Sequence, residues 1–183
     1  MRRGALVIAL VIGCGAPARA PDARDPLAKA SPGGAAAERA EGAPRACTHD
    51  VEDLAPCAEE CDRAIAFSCT VLAARVERGD RVPRDLTRAV RIHERACELR
   101  DAASCVNAAR MYASGAGVPP SRAKQIELLG AACMLGDAFA CAVPAKAFAS
   151  GNGVARDPRR AEELWQHACA GGVESACASL GEP

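Results

Sequence analysis

Residues 97–118 read CELRDAASCVNAARMYASGAGV, and this stretch decides the fold. Cys97 and Cys105 stand eight residues apart, and Gly115-Ala116-Gly117-Val118 closes a helical pattern that carries Cys105, Ala108 and Tyr112 on one side. Thirty-six residues upstream lie Cys61, Cys69, Gly79 and Val82, and thirty-six downstream lie Cys133, Cys141, Gly151, Gly153 and Val154. Cys169 and Cys177 continue both series. Eight cysteines on one 36-residue lattice mean a tandem repeat, in which each unit buries its apolar face against its neighbours.

Columns of the lattice assign the elements. The pattern Cys105, Ala108, Tyr112 returns as Cys69, Leu72, Val76 and as Cys141, Pro144, Phe148. A second helix follows each glycine turn. It opens on Asp85, Ser121 and Asp157, whose side-chain oxygens suit the N-cap, with Pro158 at a first helical position. Ala89, Ile92 and Ala96 form an apolar stripe, repeated as Ala161, Leu164 and Ala168, while the middle repeat keeps Leu128 and Ala132 but has Gln125. Arg88, Arg91, Glu94 and Arg95 fall on the other side. Helices of about 12 residues joined by short turns form antiparallel αα-hairpins, so the class is all-α and the architecture a solenoid. Pro144 sits inside a first helix, removes a backbone hydrogen bond and predicts a kink.

The same lattice predicts the cystines. The first cysteine of each pair ends one helix and the second lies a turn into the next, so an antiparallel hairpin brings them face to face. The pairs are Cys61–Cys69, Cys97–Cys105, Cys133–Cys141 and Cys169–Cys177, with Cys47–Cys57 left to pair at a spacing of ten. Each loop closure contributes about 2.5 kcal/mol on the chain-entropy account. Aromatic residues make up only 3% of the chain, so these staples stand in for a large core.

The N-terminus points to export. Arg2 and Arg3 precede an apolar run, Ala5 to Ile12, too short to span a bilayer. Val11-Ile12-Gly13-Cys14 resembles a lipobox, whose cysteine carries the lipid; cleavage after Ala18-Arg19-Ala20 is the alternative, disfavoured by Pro21. Taking Cys14 as lipidated leaves an even number of cysteines among the 11, as a disulfide framework requires. The expected organisation is a signal peptide over 1–13, a flexible tether over 14–46, an N-terminal cap over 47–60, repeats over 61–96, 97–132 and 133–168, and a half repeat over 169–183. The tether is rich in Ala, Pro, Gly, Arg and Glu, and its coil span is roughly 30 Å. These features place the chain in a bacterial cell envelope, as a periplasmic or outer-membrane lipoprotein or outside the cell.

The unit Ala109-x-x-Tyr112-x-x-Gly115-x-Gly117-Val118, followed by a capped helix and Ala-Cys, resembles Sel1-like repeats, which are TPR-like. Its cysteine pairs every 36 residues are similar to those of the Helicobacter cysteine-rich proteins. The resemblance spans residues 61–177. It implies a right-handed αα-solenoid that binds protein or peptide partners, and some family members are described as binding penicillins and slowly hydrolysing β-lactams.

Ser121-Arg122-Ala123-Lys124 matches the S-x-x-K nucleophile motif of serine β-lactamases. Ser121 nevertheless shares its column with Asp85 and Asp157, and Lys124 shares one with Arg88 and Arg160, so a cap and a solvated base explain both. No S-D-N or K-T-G accompanies them, and no catalytic residue is assigned. Neither a metal nor a cofactor is expected: the chain has no C-x-x-C pair, and His49, His93 and His167 occupy different columns and read as surface residues. With 23 basic and 23 acidic residues, nothing draws the chain to nucleic acid. The remaining pattern lies on the first helices, where Arg75, Arg78, Asn107, Arg110 and Lys146 are expected to face solvent near Glu77 and line a groove for an envelope protein or peptide, or a cell-wall or β-lactam ligand.

Overall fold

The glycine turns and capping residues divide the chain into helices set at equal intervals, five of them 13 residues long. The structure, a computed structural model, describes residues 47–181. After α1 (Ala55–Asp62) come α2 (Ala66–Arg78), α3 (Leu86–Glu98), α4 (Ala102–Ser114) and α5 (Arg122–Met134). A 3-10 turn (Ala138–Cys141) then leads into α6 (Ala142–Ser150), followed by α7 (Pro158–Ala170) and α8 (Glu174–Gly181). No strand occurs among the described residues. Helices start at 66, 102, 138 and 174 and, in the second series, at 86, 122 and 158, so the 36-residue period of the cysteines is the period of the fold. The architecture is an αα-hairpin solenoid stapled by disulfides.

Local chemistry sets the boundaries. Asp85, Ser121 and Asp157 cap α3, α5 and α7 by accepting from the backbone N–H of Arg88, Lys124 and Arg160. Asp101 and Asp137 do the same for α4 and the 3-10 turn. Gly79, Gly115 and Gly151 end α2, α4 and α6 at φ +72°, +74° and +79°, a left-handed conformation that a Cβ would strain. One backbone bond then closes every turn: the N–H of Asp85, Ser121 and Asp157 donates to the carbonyl of Val76, Tyr112 and Phe148.

Pro144 does not kink a continuous helix. The helix changes type ahead of it: the 3-10 turn ends at Cys141 and passes, with Cys141 and Ala142 both right-handed helical, into α6, where Pro144 is the third residue. Backbone N–H groups of a first turn have no intrahelical acceptor, so the proline's missing donor costs nothing there.

Apolar side chains gather in three clusters along the stack. Leu54, Leu72, Val76, Val90 and Met111 fill the first, Ala108, Leu128, Leu129 and Ala132 the middle one, and Ile126, Phe148, Leu164 and Trp165 the last. Each contains only neighbouring helices, as a quasi-one-dimensional repeat requires. Cystines join Cys47–Cys57, Cys61–Cys69, Cys97–Cys105, Cys133–Cys141 and Cys169–Cys177, with Cα separations of 4.6–4.8 Å. Such bonds persist in a non-reducing compartment. No helix among the described residues is long and apolar enough to cross a membrane. The expected signal peptide, Cys14 and the tether lie outside the described residues.

Candidate functional site

The first helices of successive hairpins, α2, α4 and α6, carry the residues expected to form a groove. Arg110 and Lys146 share one lattice column and are exposed, and Arg78 is exposed at the end of α2. Asn107 is half-buried. Arg110 reaches across the repeat boundary to Glu77 of α2, with Nη2 2.5 Å from Oε1. Glu77 is thereby a partner of this cationic face. Burial pushes its carboxyl up, but the hydrogen bond and charge of Arg110, reinforced by His93, hold it below the usual carboxylate value.

Arg75 departs from expectation. It is buried at 6% exposure, and it pairs with Asp80 at 2.7 Å. Its other nitrogen donates to the His49 carbonyl. The cause is the N-terminal segment, which folds back over α2: Arg81 donates to the Val51 carbonyl at 2.9 Å, and His49 packs edge-on against Phe67 at 5.2 Å. Arg75 therefore fastens the cap and is not available to a partner.

His93 departs as well, being fully buried at 0% exposure, whereas His49 and His167 are exposed. Its ring bridges two hairpins, with Nδ1 3.5 Å from Ser104 Oγ and Nε2 3.4 Å from Glu77 Oε2. Ser104 in turn lies 3.0 Å from Thr70 Oγ1. A serine, a histidine and a carboxylate in sequence resemble a nucleophile relay, but Ser104 is buried at 0% exposure and no substrate can reach it. The group is an inter-repeat joint. A parallel joint lies one repeat earlier, where buried Ser68, in the column of Ser104, donates to Glu60 at 2.5 Å. The later members of that column, Ala140 and Ala176, need no partner.

Ser121 accepts from the Lys124 backbone N–H at 3.3 Å, and Lys124 Nζ lies 3.1 Å from Glu127. Both residues of the S-x-x-K motif are thus occupied by capping and ion pairing. A cleft of about 270 Å³ between the cap and α2–α3 is edged by Glu52 and Asp53 and by Arg81 and Arg88, charges that offset one another. The repeat lattice also leaves Phe139 bare at 77% exposure, in the column where Phe67 is covered by His49.

The Sel1 repeat profile matches residues 66–101, 102–137 and 139–173, more than half of the chain. Among solved structures, a Sel1 repeat protein from Oxalobacter formigenes superposes with a TM-score of 0.57 at 18% identity, over 65% of this chain and 49% of its own. A protective antigen of uropathogenic Escherichia coli strains with an SLR fold gives 0.58 at 19% identity, over 69% of this chain and 27% of its own. Helicobacter pylori cysteine rich protein B gives 0.49 at 23% identity, over 68% of this chain and 89% of its own. The chain thus spans about half and about a quarter of the first two structures. None of the curated proteins matches the chain in sequence.

Proposed function

We propose, from the premise that the chain belongs to the Sel1 repeat family, that it is an exported, lipid-anchored scaffold that binds an acidic protein or peptide segment in the cell envelope. A Sel1 solenoid is suited to protein binding because its stacked hairpins present one long surface with equivalent positions in every repeat. The observation that carries the acidic preference is the exposed pair Arg110 and Lys146 in one column, with Arg78 on the same series of helices. Exposed ion pairs are individually weak, so an extended segment with several carboxylates would gain affinity by summing contacts across repeats. The five cystines support an oxidising location, and Cys14 supports the anchor.

The test is binding of hexaglutamate, as a minimal acidic segment, to the oxidised chain. The double variant Arg78→Glu, Lys146→Glu alters exposed positions only and is expected to fold normally, to lose the binding and to lose its salt dependence. Unchanged binding by the folded double variant would move the functional surface elsewhere.

A further inference from the structure

His93 of α3 is buried, meets side chains of α2 and α4, and faces the Glu77 carboxylate with an Nε2 that has no hydrogen-bond partner. The proton positions around it follow from the fact that each hydroxyl has one hydrogen to give. Thr70 Oγ1 donates to the Ala66 carbonyl at 3.0 Å. Across its 3.0 Å contact with Ser104 it can therefore only accept, and Ser104 donates. The Ser104 oxygen is left to accept from His93, which puts a proton on Nδ1. In the neutral ring Nε2 is then a bare lone pair. It has no hydrogen-bond partner, although Glu77 Oε2 stands 3.4 Å away.

Two lone-pair atoms facing each other across that gap repel, and one proton between them would convert the repulsion into an ion pair. The charged groups acting on the ring are Glu77 of α2, Arg110 of α4 and Asp101, which caps α4. Burial keeps the ring's proton affinity below the ordinary histidine value, with Glu77 pulling the other way. His93 is thus neutral at neutral pH and takes up its second proton in acid. Glu77 currently serves one cation, Arg110, through Oε1. After protonation it serves two, one on each oxygen, and the imidazolium's charge offsets part of the field that holds Arg110 in place.

We propose that His93 is a proton switch that sets how firmly Glu77 holds Arg110. A proton from solvent binds Nε2 and is shared with Glu77 Oε2, no covalent bond breaks, and the exposed Arg110 guanidinium is released to turn outward. The consequence for binding, a face that grips carboxylates more strongly in mild acid, rests on the partner-binding reading above. The histidine switch itself does not.

The experiment is a side-chain NMR titration of the full oxidised chain, following the His93 ring and the Arg110 guanidinium together. The expected His93 midpoint lies below 6.5, the ordinary value, and the Arg110 signals move with the same midpoint. In Glu77→Gln, at a partly exposed position, the His93 midpoint falls further and the Arg110 signals lose their pH step. His93→Gln abolishes that step directly; should the buried substitution prevent folding, Glu77→Gln still decides. A His93 midpoint at or above 6.5, or Arg110 signals that do not move in the wild type, overturns the proposal. Hexaglutamate that fails to bind at both pH 7.5 and pH 5.5, beside an intact Arg110 step, would sink the acidic-partner reading and leave the switch supported.

Discussion

Gly117 lies against the opening of α3 in the preceding hairpin, so closely that a Cβ built on it would stand 2.5 Å from the Leu86 carbonyl oxygen. Thr87, the next residue of α3, donates to the Gly117 carbonyl at 2.9 Å. The second glycine of the G-x-G-V turn is therefore a contact between repeats as well as a turn residue. Gly117→Ala should cost about 2–5 kcal/mol, since a methyl group meets backbone and the residue is held at φ +78°. Gly136→Ala is the control. Its φ is +102° but nothing lies within 4 Å, so only backbone strain of about 1–2 kcal/mol should appear. Urea denaturation of the two variants checks this, and equal losses would refute the packing role.

Arg75→Ala should release the cap. The substitution leaves Asp80 and the His49 carbonyl without their buried donor, a loss of about 1.5–3 kcal/mol for hydrogen bonds to a charged group. Limited proteolysis should then cut within residues 47–54. Arg78→Ala, on the same helix but exposed, should change stability by less than about 0.5 kcal/mol.

Much of the fold is legible in the lattice. The cystine spacing, the capping residues Asp85, Ser121 and Asp157 and the glycine turns are all short-range signals, and the structure places them where the columns lead. The burial of Arg75 and His93 is signalled by the other members of their columns and not by the pattern along their own helices. The column of Arg75 continues as Met111 and Ala147, and that of His93 as Leu129 and Trp165, all of them buried. A polar residue in a buried apolar column implies a built partner. What no column shows is which partner: His49 and Asp80 reach Arg75 through the folded-back cap, and Glu77 reaches His93 from the neighbouring helix.

Stability should fall in acid in two stages. His93 binds its proton more weakly in the folded chain than the ordinary 6.5, so below that pH the unfolded chain binds more protons and folding loses free energy, until pH passes the folded value. Glu77 is also lowered, from 4.5, so its contribution is present above that pH and is lost as pH falls through its folded value. Thermal unfolding from pH 8 to pH 3 should show the first decline beginning near 6.5, and Glu77→Gln should remove the second component. A midpoint that rises between pH 6.5 and pH 5 would contradict the sign for His93.

Ser121→Ala removes the acceptor for the Lys124 N–H and should cost about 1 kcal/mol of capping energy. Because Lys124 is engaged with Glu127 at 3.1 Å, the pair is not arranged as nucleophile and base. The rate of any hydrolysis of a chromogenic cephalosporin should therefore be the same in the variant and the wild type. Loss of an acyl-enzyme burst in the variant would instead make Ser121 a nucleophile.

Cys14→Ser should move the protein from the membrane fraction to the soluble one. Ten of the 11 cysteines are joined in five pairs, and the eleventh, Cys14, stands in a lipobox-like context. No helix among the described residues can itself span a bilayer, so the acyl chains at Cys14 would supply the attachment. Fractionation of cells expressing each form reads the result. Because the substitution lies far in sequence from the stapled repeats, the soluble variant should keep all five cystines and the same denaturation midpoint. Retention of Cys14→Ser in the membrane fraction would mean that another part of the chain, or a tightly bound partner, holds it there.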